Sequence, residues 1–253
     1  MSKIKVNEIE KISGSGITIP TGTSFTVTDG IPATNLSGTI ADARLPTVPV
    51  AKGGTGLTSL GSAGQVVKVN SGASGLEFGT VSSDMVKILT TTTSGTTVTI
   101  DNIFSSDYYF YQVYIDSYNS VAARNLGMRV LIGGSEQQGS DYTFGGNYVS
   151  RASGSASTGT DTGWNDSYMK IANGSGAANH RTSGVVNCFN PTDSSNHKQF
   201  TYHMASWNTT NDQYNYHGGG TARYSGALSG LSFKFHGDGT MTLGRVSVYG
   251  LKV

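Results

Sequence analysis

Along the last two thirds of the chain, apolar and polar residues alternate with a period of two. Phe200, Tyr202 and Met204 interleave with Thr201 and His203, and Leu231, Phe233 and Phe235 with Ser232 and Lys234. Tyr109, Tyr111, Val113 and Ile115 share one parity, and Leu126, Met128, Val130 and Ile132 share another. Such alternation marks strands with one face buried. Strands are therefore predicted over Met85–Thr91, Thr96–Ile100, Tyr108–Asp116, Asn125–Ile132, Tyr142–Val149 and Ser167–Ile171. Further strands follow over Thr182–Phe189, Lys198–Trp207, Tyr214–His217, Leu231–His236 and Met241–Leu251. The stretches Ser150–Gly163 and Asn173–Asn179 are rich in Gly, Ser, Ala and Thr and read as loops. His236–Thr240 reads as the hairpin turn between the last two strands. No amphipathic helix of useful length is visible. About ten short strands separated by turn residues predict an all-β domain, a jelly-roll-like sandwich.

The first third has a different pattern. Ile4 and Val6 alternate with polar neighbours, as do Ile17 and Ile19, and then Phe25 and Val27. These read as short strands, with a helix over Val6–Ile12 as the weaker option. Residues 31–84 hold single aliphatic side chains scattered among Gly, Ser, Thr, Ala and Pro. Before residue 85 the aromatic rings are Phe25 and Phe78, whereas all 13 Tyr and both Trp come later. So few apolar groups do not offset the ordering of so many residues. Two readings follow: a mobile linker, or a segment that shares its apolar residues with copies of itself. Alternating pairs such as Val67 and Val69 favour intertwined copies, three being the expected number. The predicted organisation is an N-terminal segment over 1–30, a neck over 31–84 and a β-sandwich head over 85–253.

Composition sharpens this picture. Charged residues are 13% of the chain and the formal net charge is +1. Basic clusters are absent, so a nucleic-acid partner has no electrostatic footprint. The N-terminus lacks the apolar core of a signal peptide, and no apolar run reaches the length of a membrane span, so no membrane insertion is expected. Gly makes up 35 of 253 residues, about twice the usual share, as expected for many turns. Cys188, the single cysteine, sits in an apolar run and reads as a small core residue.

A resemblance lies in the neck. The runs NLSGTIADARLP (35–46), KGGTGL (52–57), GQVVKVN (64–70) and GLEF (75–78) are similar to those common in phage tail fibres. The opening SKIKV (2–6) and ITIPTGT (17–23) resemble the starts of marine or cyanobacterial phage fibres, and VSVYGLK (246–252) resembles the last strand of their small heads. The resemblance implies a homotrimeric receptor-binding protein of the virion tail. Its N-terminus would join a tail or baseplate protein, and its head would bind a host cell-surface glycan or lipopolysaccharide. The rival expectations are a virion adaptor or capsid decoration protein without a receptor role, and a polysaccharide depolymerase.

Little in the sequence points to catalysis. KGGTGL lacks the spacing of a phosphate loop. The five histidines form no close-spaced ligand pair, and the loop aspartates are explained by turn chemistry. Glu136 is the one Glu after Glu77. No catalytic residue, metal or cofactor is assigned. For binding, Trp207–His217 combines aromatic faces with amides, the mixture a sugar surface asks for. Trp207, Asn208, Tyr214, Tyr216 and His217 are the candidates there, joined by Trp164. The run Tyr142–Tyr148 is a further candidate. A purely structural role as strand-face residues competes at each of these positions.

Overall fold

The computed structural model describes Thr26, Thr28 and residues 54–252, apart from Ser82, 121–123, Ser153, 174–179, 208–211 and Asp238. The short strands expected before residue 30, the first part of the neck, and Asn208 lie outside the described residues. The chain divides into two units between Val81 and Ser82. The described residues contain no helix, and their strands pair antiparallel.

The first unit contains a hairpin, β1 (Gln65–Val69) with β2 (Leu76–Thr80). Its turn is built locally: the Asn70 N–H donates to the Gly75 carbonyl (2.9 Å), and the Ser74 N–H donates to Asn70 Oδ1 (3.0 Å). The register sets Val67 opposite Phe78 and Val69 opposite Leu76, giving one apolar face. Lys68 and Glu77 pair on the other face at 3.4 Å. This hairpin within the neck was not among the predicted strands. The Val67/Val69 alternation and the Asn-Ser-Gly-Ala-Ser-Gly turn account for it.

The second unit opens with β3 (Met85–Gly95), β4 (Val98–Ile100), β5 (Tyr108–Tyr118), β6 (Asn125–Ile132), β7 (Ser135–Glu136), β8 (Tyr142–Ala152) and β9 (Ser155–Asp166). It continues with β10 (Met169–Ala172), β11 (Thr182–Phe189), β12 (Lys198–Trp207), β13 (Gln213–Ala222), β14 (Gly230–His236) and β15 (Met241–Lys252). Two sheets result. The large one runs β3-β15-β5-β11-β12-β13-β8-β9, and the small one β10-β6-β14-β4, with β7 added on β6. One core joins residues of both sheets, and β10 of the small sheet packs against β8, β12 and β13 of the large one.

The alternation read from sequence decides what enters the core. In β12, residues 198–206 of even number are buried and the odd ones exposed. In β6 both parities are buried, because this central strand is covered on each side. The core is rich in tyrosine, and several of the phenols have fixed partners. Tyr142 donates to the Gln137 carbonyl (2.8 Å) and accepts from the Val130 N–H (3.0 Å). Tyr111 donates to the Ser105 carbonyl (2.9 Å) and accepts its N–H (2.7 Å). Cys188 is fully buried, and burial pushes its thiol well above the usual range. Gly184 permits close approach of β11 and β12: a Cβ there would lie 2.2 Å from the His203 carbonyl oxygen.

A bulge in β5 resets the alternation. Tyr111, Val113 and Ile115 are buried at intervals of two, but the next buried residue is Tyr118. Ser117 lies at φ 63°, and the register against β11 shifts between Thr182 and Gly184. The extra residue returns a large ring to the core.

Two expectations are corrected. Ser150–Gly163, read as a loop, carries the end of β8 and most of β9. Its Gly, Ser and Thr residues obscure a strand that lies at a sheet edge, where no strong apolar pattern is required. The turn after His236 does not close a hairpin, since β14 belongs to the small sheet and β15 to the large one. Turn residues mark where the chain reverses but not which strand it pairs with next. The strand over Gln213–Ala222 also runs past the predicted end at His217 through Gly218, Gly219 and Gly220. Glycines that weaken a strand locally are held there between β12 and β8.

Candidate functional site

The large sheet buries one face in the sandwich and turns the other outward. Register places the outward residues in rows across the strands. One row holds Arg245, Asp116, Ser183, Ala205 and Asn215, and the next holds Ser247, Tyr114, Val185, His203 and His217. A third holds Tyr249, Gln112, Asn187 and Thr201. Parts of these rows line an open groove of about 1020 Å³, bordered by residues of six adjacent strands: β3, β15, β5, β11, β12 and β13.

Over β15 and β5 Tyr114 and Tyr249 meet edge to face, with ring centroids 5.7 Å apart and planes at 84°. Tyr114 is 43% exposed, so its ring is offered to solvent. A chain of hydrogen bonds fixes the phenol. Tyr114 Oη donates to Gln112 Oε1 (3.0 Å), Gln112 Nε2 to Asn187 Oδ1 (3.1 Å), and Asn187 Nδ2 to Thr201 Oγ1 (3.0 Å). After these bonds each amide nitrogen retains one N–H to donate. At one end of the groove Arg245 pairs with Asp116 at 2.7 Å. The Ser117 hydroxyl and this guanidinium hold the Asp116 carboxyl below the usual range. Asp116 is the one carboxylate among the groove residues.

The residues singled out from sequence separate in space. Trp207 ends β12 on the outward face, 41% exposed, with its ring 6.0 Å from that of His180. His217 also points outward, opposite His203. Tyr214 and Tyr216 take the inward parity of β13, with rings 5.4 and 5.1 Å from Tyr148. Tyr216 is 1% exposed and its hydroxyl donates to Asp161 Oδ2 (2.7 Å), which also pairs with Lys170 at 2.8 Å. Burial first, then the Asp161 carboxylate, raises the Tyr216 phenol far above its ordinary value. Its ring is part of the core and is not presented to a ligand.

Trp164 lies on edge strand β9, 71% exposed, with the Arg223 guanidinium 5.2 Å from its ring centroid. Register through β8 and β13 sets Trp164 level with Gln199 of β12. Trp207 is eight residues further along that strand, about 27 Å at 3.4 Å per residue. The two tryptophans therefore stand at opposite ends of the sheet. In the run Tyr142–Tyr148, Tyr142 and Phe144 are buried.

Tyr114, Tyr249, Gln112, Asn187 and Arg245 were missed in the sequence. The available signal was the second parity of β5, where Phe110, Gln112 and Tyr114 alternate with the core set. Its partners were out of reach, because Gln112 and Asn187 are 75 residues apart and Asp116 and Arg245 are 129 apart. Among the described residues, no three His, Cys, Asp or Glu side chains gather into a metal site. No family model, curated protein or solved structure gives a significant match to the chain.

Proposed function

We propose that the chain is the adhesive subunit of a phage tail fibre or closely related virion appendage, and that it binds a bacterial surface glycan in the outward groove of the large sheet. The observation that carries this reading is the groove itself. It offers two tyrosine rings, amides with donors to spare and one ion pair, on a rigid sheet backed by a tyrosine-rich core. Aromatic faces take the apolar side of a sugar ring, and amides match its hydroxyls. The single groove carboxylate is tied to Arg245, which favours binding over hydrolysis by a carboxylate pair.

The aromatic-poor front and its likeness to fibre necks supply the rest. Three copies would wrap around one another there and join the tail or baseplate. The head would be jelly-roll-like, and three weak glycan sites would act together through effective concentration. A glycan array probed with the full chain tests the binding. Saccharide binding that falls about tenfold or more in Tyr114→Ala supports the reading, and an array without a binder overturns it. Light scattering tests the assembly, with three chains per particle expected and a stable single chain against it.

A further inference from the structure

We infer that the groove takes an extended saccharide chain lying across the strands rather than a single terminal sugar; this rests on the adhesive reading above. One straight row of groove residues crosses five successive strands, Thr90, Ser247, Tyr114, Val185 and His203, with a hydrogen-bonding side chain on each strand but β11. Gln112, Ser183 and Asn215 flank it in the neighbouring rows and carry polar groups onto β11 and the sixth strand, β13. Neighbouring strands lie about 4.8 Å apart, so the six strands span roughly 24 Å. That interval is close to the length of one hexose ring, so an extended chain of about four to five sugars crosses a new strand, with polar side chains in or beside its path, at nearly every ring.

The volume agrees. A groove of about 1020 Å³ stands at the upper end of pockets for drug-sized molecules, about 300–1,000 Å³, and is too large for one hexose to fill. It is also open, so a polymer can enter sideways without presenting an end.

Thr90, Ser247, Gln112 and Ser183 are held in place before any ligand arrives. Thr90 Oγ1 donates to Ser247 Oγ (3.1 Å), bracing the β3 end. Gln112 is fixed between Tyr114 and Asn187. Ser183 Oγ accepts the Ser117 N–H (2.9 Å) at the β5 bulge and keeps its own hydroxyl hydrogen to donate. A ligand therefore orders few side chains on binding, which favours many weak contacts in series. The tyrosine pair sits over β15 and β5, off the middle of the row, so a short fragment would settle there first.

The test uses the full chain and the saccharide that binds best on the array, prepared as fragments of graded length. Affinity should rise with each added ring and level off at about four to five units. Thr90→Ala and Asn215→Ala, at the two ends, should weaken the longest fragment about three- to tenfold and leave a two-unit fragment unchanged. Gln112→Ala should weaken both. Equal affinity for one ring and for five, or end variants without effect on the longest fragment, would overturn the extended-chain inference while leaving adhesion standing. An array without any saccharide binder would sink the adhesive reading and this one with it. A change of particle mass in Gln112→Ala would also overturn it, by assigning the groove to a contact between subunits.

Discussion

The two faces of the large sheet use the same residue type for opposite ends. Inward tyrosines are sealed: Tyr111, Tyr118, Tyr202 and Tyr216 are buried, and burial raises every one of their phenols, Tyr202 to about 12. Outward, Tyr114 keeps its ring exposed and spends its hydroxyl on fixing an amide ladder. The difference teaches that tyrosine content does not locate a binding surface. A tyrosine whose ring is buried stabilises the fold, and one whose ring stays exposed while its hydroxyl fixes an amide organises a surface. Strand parity, not residue identity, decides between the two.

Substitutions on the two faces should therefore separate stability from binding. The largest loss is expected from Phe200→Ala, which empties a 2%-exposed position and should lower unfolding stability by about 3–5 kcal/mol in chemical denaturation. If it costs no more than a surface change, the inward face is not the core.

Gly184→Ala comes next. Its Cβ would press on the His203 carbonyl, and a backbone atom cannot swing aside, so a loss of about 2–3 kcal/mol is expected. Tyr216→Phe removes a hydrogen bond to a carboxylate and should cost about 1.5–3 kcal/mol. A cost near zero would show that Asp161 finds water in its place.

A smaller effect concerns acid. His236 stacks on Tyr168 with ring centroids 3.4 Å apart. Burial, and then the charges of Arg129 and Lys234, lower its pKa from 6.5 to about 4, while Glu136 acts the other way. The unfolded chain takes up a proton that the native state refuses between these values, so stability falls as pH drops from about 6.5 towards 4. The loss is on the order of 1 kcal/mol for this half-buried ring. It should vanish in His236→Phe, measured as the difference in denaturation midpoint between pH 7 and pH 4.5. The smallest change belongs to the outward face: Tyr114→Ala should move stability by less than about 1 kcal/mol while removing most saccharide binding. A large drop in stability would make Tyr114 structural and erase the contrast between the faces.

Much of the sandwich was legible because strand signals are local. Asn125–Ile132, Thr182–Phe189 and Lys198–Trp207 are bounded in the structure where the alternation places them. Edge strand β9 was illegible because an edge with exposed residues on both sides needs no alternation of apolar groups. Composition makes Tyr214 and Tyr216 candidate binding residues, although their parity also fits the inward face. Only the partners of that face, Tyr148 and Asp161, show which role they fill.

Local sequence thus determined that the chain is all-β, where most strands lie, and which side chains share a side of each strand, because a two-residue period is a property of the backbone itself. The tertiary structure alone decided which side faces inward, which strands become neighbours, and hence that Tyr114, Gln112, Asn187 and Tyr249 meet. Those contacts join residues far apart in the chain through strand register, and register is fixed by the burial of the whole sheet rather than by any single stretch.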